Sequence, residues 1–358
     1  MPSINFNEIE RVDVHTHAIT PKYREYLIQT GHPDPDGWPE LPVGTQYTPS
    51  QRMKLQLIVF QEWTPELHIA MMKETNITMQ FSALALPVPT FGQLSEISAA
   101  HPNHFRFFAS LPLPSVPESL AEIDYALDTL GAVGFCVLSN ANGFYLGDKA
   151  LDPIFDKLNE RKAILFMHPT SCKIISHAHS NGTNSDAKSE PSLTVVNPLQ
   201  QIPSGLLEYM FDETRAVANL LVSETVTRCP EIKFIMSHAG CLLPPVLERI
   251  AVALQNFFGG GMDSAEMKRL LGERFHFDLA GLPWPDMIHA LLRIVGPDRL
   301  VYGSDYCWTP LPLAKTLIQK MDEGAGQMWS GDTIKEVYAG NAKRLFGFSS
   351  RGGVYKHE

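Results

Sequence analysis

Eight short β-rich runs recur along the chain, each followed by a stretch with helical patterning, and this alternation constrains the fold more than any other feature. The runs are Arg11–His17, Ile77–Leu86, Phe105–Leu113, Ala132–Ser139, Ala163–His168, Ile232–His238, Arg274–Ala280 and Arg299–Asp305. Helix starts stand between them. Thr64-Pro65-Glu66 precedes LHIAMMKETN, Pro117-Glu118 precedes SLAEIDYALDTLG, and Asp152-Pro153 precedes IFDKLNERK. Proline in a first helical turn gives up no hydrogen bond. Eight βα units predict a closed (β/α)₈ TIM barrel, one domain over residues 1–358 with C-terminal helices closing it. A doubly wound open sheet is the competing architecture. That fold usually carries a Gly-rich phosphate turn after its first strand, and here the position reads His15-Thr16-His17.

Two connections are long. Ala18 to Thr64 follows the first strand and is rich in Pro, Gly and aromatics, and Thr170 to Ser204 follows the fifth and is rich in Ser, Asn and Gly. In a barrel both are βα-loop insertions on the C-terminal face, where active sites are built. The first is expected to be ordered, because Trp38, Tyr47 and Trp63 offer surface to bury. The second is left open between a lid, a dimer contact and disorder. The terminal SGDTIKEVYAGNAKRLFGF reads as a further amphipathic helix.

A formal net charge of −10 argues against a nucleic-acid partner, since no Lys/Arg-rich stripe exists to displace counterions from phosphates. No run stays apolar for the length a membrane span needs, and the beginning MPSINFNEIERVDV lacks the basic-then-apolar pattern of a leader. A cytosolic protein is expected. The five cysteines are widely spread and never in a C-x-x-C pair, which fits reduced thiols.

The chemistry-bearing residues stand at the ends of the runs. His15 and His17, two apart on a strand, point to one side, which makes them a natural pair of metal ligands. An isolated His-x-His is as often two satisfied core groups. The fifth run, however, ends at His168, the sixth at His238 and the eighth at Asp305, so four of eight ends supply a candidate ligand or proton carrier to one mouth. A second pair, His177 and His179, lies in the Ser/Asn-rich loop with no strand to fix it.

HTH after the first strand, HP after the fifth, SHAG after the sixth and GSDY after the eighth resemble the amidohydrolase superfamily. The likeness is to the branch of aminocarboxymuconate-semialdehyde decarboxylase and the dihydroxybenzoate decarboxylases. FRFFASLPL, the WTPELHIAMM and TRAVANLLVS helices, RCPEIKF and GNAKRLFG extend it over nearly the whole chain. The resemblance implies metal ligands at His15, His17, His168 and Asp305, an active-site histidine at His238, and a homodimer in which Arg249 serves the neighbouring subunit's site. In the WTPELHIAMMKETNI helix His68 and Lys73 replace the family's usual Arg and Asp, so that helix is not taken as a source of site residues. The fourth run ends VLSNANG, without the lysine that bridges two metals in many amidohydrolases, so one divalent ion, Zn²⁺ or Mn²⁺, is expected.

Two reactions suit such a centre. In a hydrolase of a small lactone or cyclic carboxylate, the ion would activate a water that His238 steers. In a non-oxidative decarboxylase the ion would chelate a small aromatic carboxylate, a 2-hydroxybenzoate. The implied substrate is 6-methylsalicylate, giving 3-methylphenol and CO₂. By resemblance Asp305 is then the acid that protonates the ring carbon. Arg52 and Arg249 are candidates for gripping the carboxylate, against a surface ion pair, and Trp38, Phe91 and Trp308 for walling the pocket, against plain core.

Overall fold

The computed structural model describes residues 4–23, 63–83, 91–176, 192–199, 202 and 204–348. All eight runs contain parallel strand. These are β1 (Arg11–His17), β2 (Ile77–Ala83), β3 (Phe105–Phe107) with its continuation β4 (Ala109–Ser110), and β5 (Phe135–Leu138). A small antiparallel pair follows, β6 (Asn140–Ala141) with β7 (Phe144–Tyr145). Next come β8 (Ile164–His168), the pair β9 (Lys173–Ser176) and β10 (Ser192–Val195), then β11 (Lys233–Met236), β12 (Phe275–Asp278) and β13 (Leu300–Val301).

The strands pair around a ring. β1 pairs with β2 and β2 with β3, while β4, β5, β8, β11, β12 and β13 pair successively, all parallel. The Phe108 N–H bridges the two sets by donating to the Ser82 carbonyl at 3.0 Å. Closure falls between β1 and the eighth run, where the Val14 N–H donates to the Tyr302 carbonyl at 3.0 Å and the Asp305 N–H to the His15 carbonyl at 2.8 Å. The chain is therefore a TIM barrel, and the open doubly wound sheet is excluded.

Alternation along the strands, interrupted in β1 by a register shift between Asp13 and Thr16, sorts the core into two layers. Val12, Val14, Phe81, Phe108, Phe166, Ile235 and Val301 fill the barrel interior, while Leu165, Met167, Phe234, Met236, Phe275 and Phe277 pack outward against helices. The C-terminal segment closes the N-terminal end. Ala339, Ala342, Leu345 and Phe346 join the interior cluster, and the Phe346 ring stacks on Phe81 at 4.0 Å between centroids. That segment is not one regular helix. A π-helical turn at Glu336–Gly340 separates Gly331–Lys335 from Asn341–Leu345.

Several strands stop short of the expected ends, and this bears on the site. β11 and β13 end at Met236 and Val301, short of His238 (φ 51°) and Asp305 (φ 56°), which both take left-handed backbone conformations. The loop after the fifth run, left open between a lid, a dimer contact and disorder, carries the antiparallel pair β9–β10. Trp63 is buried as expected, whereas Trp38, Tyr47, Arg52, His177 and His179 lie outside the described residues. All five cysteine thiols are free. Among the described residues no helix is long and apolar enough to cross a membrane.

Candidate metal centre

At the C-terminal mouth, β1 presents His15 and His17 to the interior and β8 presents His168, all three buried, with Asp305 facing them. One ligand atom from each lies within 4.8 Å of the others. His15 Nε2 and His17 Nε2 stand 3.4 and 3.2 Å from Asp305 Oδ1. Neither nitrogen makes a hydrogen bond. The outer nitrogens fix the ring orientations. His15 Nδ1 donates to Asp278 Oδ2 at 2.9 Å and His168 Nδ1 to the Pro169 carbonyl at 2.7 Å, which leaves an Nε2 lone pair on each ring for the shared point. Buried imidazole nitrogens without partners, as on His15 and His17, are costly, and three imidazoles around a carboxylate suit a divalent cation.

The electrostatics agree. Burial pushes the His168 pKa well below its usual value. Burial alone would raise Asp305, but the imidazoles of His15 and His17 outweigh it and hold the carboxyl well below the usual carboxylate range. Burial would lower His15, and the carboxylates of Asp278 and Asp305 outweigh that and raise it well above the usual imidazole value. His15 must give up that proton to serve as a ligand.

The sequence reading missed the groups that hold this centre in place. Asp278 ends β12 and, besides holding His15, accepts the backbone N–H groups of His238 and Ala280 at 3.2 and 2.9 Å from its Oδ1. Asp13 accepts the N–H and hydroxyl of Ser304 and the N–H of His15, tying β1 to the Asp305 turn. A Cβ at Gly303 would meet the Cβ of His15 at 2.8 Å, so this approach requires glycine. The available signal was FHFDLAG, a lone acid at the end of a mostly apolar strand.

His238 sits at the edge of this group, its ring 5.0 Å from that of His15 between centroids. Burial lowers its pKa, which favours a neutral imidazole. Behind it, the fully buried Glu213 accepts the Ser237 N–H at 2.8 Å and hydroxyl at 2.5 Å, and the Cys241 thiol at 3.2 Å. These bonds clamp a turn in which His238, Ala239 and Cys241 all have φ near 51°. Burial pushes the Glu213 carboxyl up to about 8, against the hydrogen bonds from Ser237 and Cys241 that pull it down. The folded chain thus keeps a proton that the unfolded chain releases above the ordinary value of 4.5. Stability is therefore lost as pH rises between those two values, with a slope of about 1.4 kcal/mol per pH unit from this group. Glu213→Gln, a mimic of the neutral acid, is expected to flatten that slope in urea unfolding between roughly pH 5 and 8. An unchanged slope would show Glu213 ionised in the fold.

Of the other candidates, Trp308 is half-buried with its ring 6.0 Å from that of His17. Phe91 begins the helix Phe91–Ala100. Arg249 is exposed on the helix Leu243–Phe257, apart from the buried group. Trp38 and Arg52 are not among the described residues.

Fold and site together define a TIM-barrel protein with three histidines and one aspartate gathered at its C-terminal mouth in an arrangement that could hold a metal ion. The chain belongs to the amidohydrolase family, whose model, described as Amidohydrolase, matches residues 12–348. It is 29% identical to decarboxylase macB of Penicillium terrestre, over 94% of this chain and 95% of the relative. It is 27% identical to the 6-methylsalicylic acid decarboxylase acuB of Aspergillus aculeatus, over 94% and 96% respectively. The fold is shared with 5-carboxyvanillate decarboxylase of Novosphingobium aromaticivorans, solved with manganese and 3-methoxy-4-hydroxy-5-nitrobenzoic acid (TM-score 0.73, 20% identity, 95% of this chain and 98% of that one).

Proposed function

We propose that this chain is a metal-dependent, non-oxidative carboxy-lyase acting on a 2-hydroxybenzoate, with 6-methylsalicylate, which gives 3-methylphenol and CO₂, as the first candidate substrate. The observation that carries the reading is the convergence of His15, His17 and His168 on Asp305 beside His238, in a chain whose full-length relatives are named decarboxylases. His15, His17, His168 and Asp305 would hold the ion, Mn²⁺ or Zn²⁺. The manganese of the structural neighbour favours trying Mn²⁺ first. When bound, the ion supplies a fixed positive charge that holds and polarises the substrate's anionic oxygens.

Loss of CO₂ from an arene is slow because the departing electron pair lies in the ring plane, orthogonal to the π system. Protonation of the carboxyl-bearing carbon removes that obstacle, since the ring then regains its aromaticity by accepting the electrons of the breaking bond. In this reading Asp305 takes the phenolic proton as the substrate binds and delivers it to that carbon. The C–C bond then breaks, CO₂ leaves, and the resulting phenolate takes a proton from solvent. His238 holds the phenolic oxygen, and Trp308 flanks the ring. Arg249 would bind the carboxylate across a homodimer, and Arg52, Phe91 and Trp38 are further candidate contacts. The whole chain is read as one barrel domain.

Isotopic labelling tests the reaction class. Turnover of 6-methylsalicylate in D₂O is expected to place one deuterium at the carbon that bore the carboxylate, with no oxygen-18 entering the product from labelled water. Hydrolysis of a lactone or cyclic carboxylate gives the opposite labelling, and that outcome would replace the decarboxylase reading.

A further inference from the structure

Thr16 stands between His15 and His17, and its side chain leaves the opposite face of β1 because successive side chains alternate. It is fully buried, and so is His68 behind it, on the helix Pro65–Glu74. Three hydrogen bonds run in series. Trp63 Nε1 lies 2.9 Å from His68 Nδ1, His68 Nε2 lies 3.2 Å from Thr16 Oγ1, and Thr16 Oγ1 lies 2.7 Å from the Tyr306 carbonyl oxygen.

The direction of each bond follows from the groups available. An indole N–H only donates, so His68 Nδ1 must accept. The single proton of a neutral imidazole then sits on Nε2 and is donated to Thr16. The Thr16 hydroxyl is left to donate its own proton to Tyr306. An imidazolium would set Nδ1–H against the indole N–H, and burial drives the His68 pKa down to about 3. The same Tyr306 carbonyl also accepts the His17 N–H at 2.6 Å, and Tyr306 directly follows Asp305. The series therefore ends where β1 is stitched to the turn that carries Asp305. A neutral imidazole accepts at one ring position and donates at the other, and the series needs both.

We propose that His68 is a positioning residue for the metal centre. As a neutral Nε2–H imidazole it locks Thr16 onto Tyr306, and so holds the His15–His17 pair in register with Asp305. The proposal rests on the reading of His15, His17, His168 and Asp305 as the metal site.

Two measurements test it on the full chain. In metal-free protein with ¹⁵N-labelled histidine, His68 is expected to show a protonated Nε2 and a bare Nδ1 throughout roughly pH 5 to 8. Mn²⁺ affinity is measured by chelator competition, with Tm recorded beside it. His68→Phe, which keeps the ring and removes the series, is expected to bind roughly 10- to 100-fold more weakly. Thr16→Val is expected to weaken Mn²⁺ binding similarly, and Thr16→Ser to stay within about 2-fold of the parent. Where His68→Phe does not fold, the Val and Ser pair carries the comparison. An Nδ1–H tautomer overturns the proposal, as does a lowered Tm in Thr16→Val with Mn²⁺ affinity unchanged. If the unsubstituted protein binds no divalent ion, the metal-centre reading falls and takes the proposal with it.

Discussion

Asp305→Asn is expected to lower kcat by about 10³–10⁴-fold and to leave the protein with substoichiometric metal. Asparagine preserves the size of the side chain but removes the charge that His15 and His17 face at 3.4 and 3.2 Å, and it removes the carboxyl proposed to carry the proton. Both losses act on one side chain. The backbone at this position is already in the left-handed region, which asparagine tolerates as readily as aspartate, so the fold is expected to survive. Metal content per chain and kcat with 6-methylsalicylate are the readouts, and added Mn²⁺ is expected to restore occupancy without restoring rate. Full recovery of rate on saturation with metal would leave Asp305 as a ligand alone and transfer the proton to another group.

The barrel was legible in the sequence because its signal is repeated eight times, and each βα unit supports the others. The ligand candidates were legible for a related reason. His15 and His17 obey the two-residue period of a strand, and His168 and Asp305 end runs that the barrel brings to one mouth. What stayed hidden was whatever depends on the third dimension. Asp278 reads as one acid in a mostly apolar strand, and only β12 lying within reach of β1 turns it into the partner of His15 Nδ1. Glu213 lies in the middle of the helix Glu208–Val222, where a carboxylate reads as a solvated group until Ser237 and Cys241 are seen against it. His68 was set aside because its helix departs from the family pattern, yet the departure is what allows Trp63 and Thr16 to be joined through one neutral ring. Strand ends were misjudged where the chain turns left-handed at His238 and Asp305, since a strained φ is imposed by tertiary contacts and leaves no mark in propensity.

The division of labour between ligand and proton carrier turns on His238. His238→Asn is expected to slow the chemical step by about 10²–10⁴-fold while metal content stays near one ion per chain. The expectation follows from geometry. The ligand atoms that gather within 4.8 Å come from His15, His17, His168 and Asp305, and His238 stands beside them with its ring 5.0 Å from that of His15. Its backbone N–H is held by Asp278 and its turn by Glu213 through Ser237, so replacing the imidazole leaves the supports of the ligands in place. Asparagine also tolerates the left-handed φ of 51° at this position. With burial lowering its pKa, His238 is neutral near pH 7 and can exchange a proton with a phenolic oxygen in either direction. Single-turnover kinetics with 6-methylsalicylate separate this step from binding, and metal analysis of the same preparation reads the site itself. Loss of the ion together with the rate would make His238 a ligand, and Asp305 would then have to serve without it as both acid and partner of the phenolic oxygen.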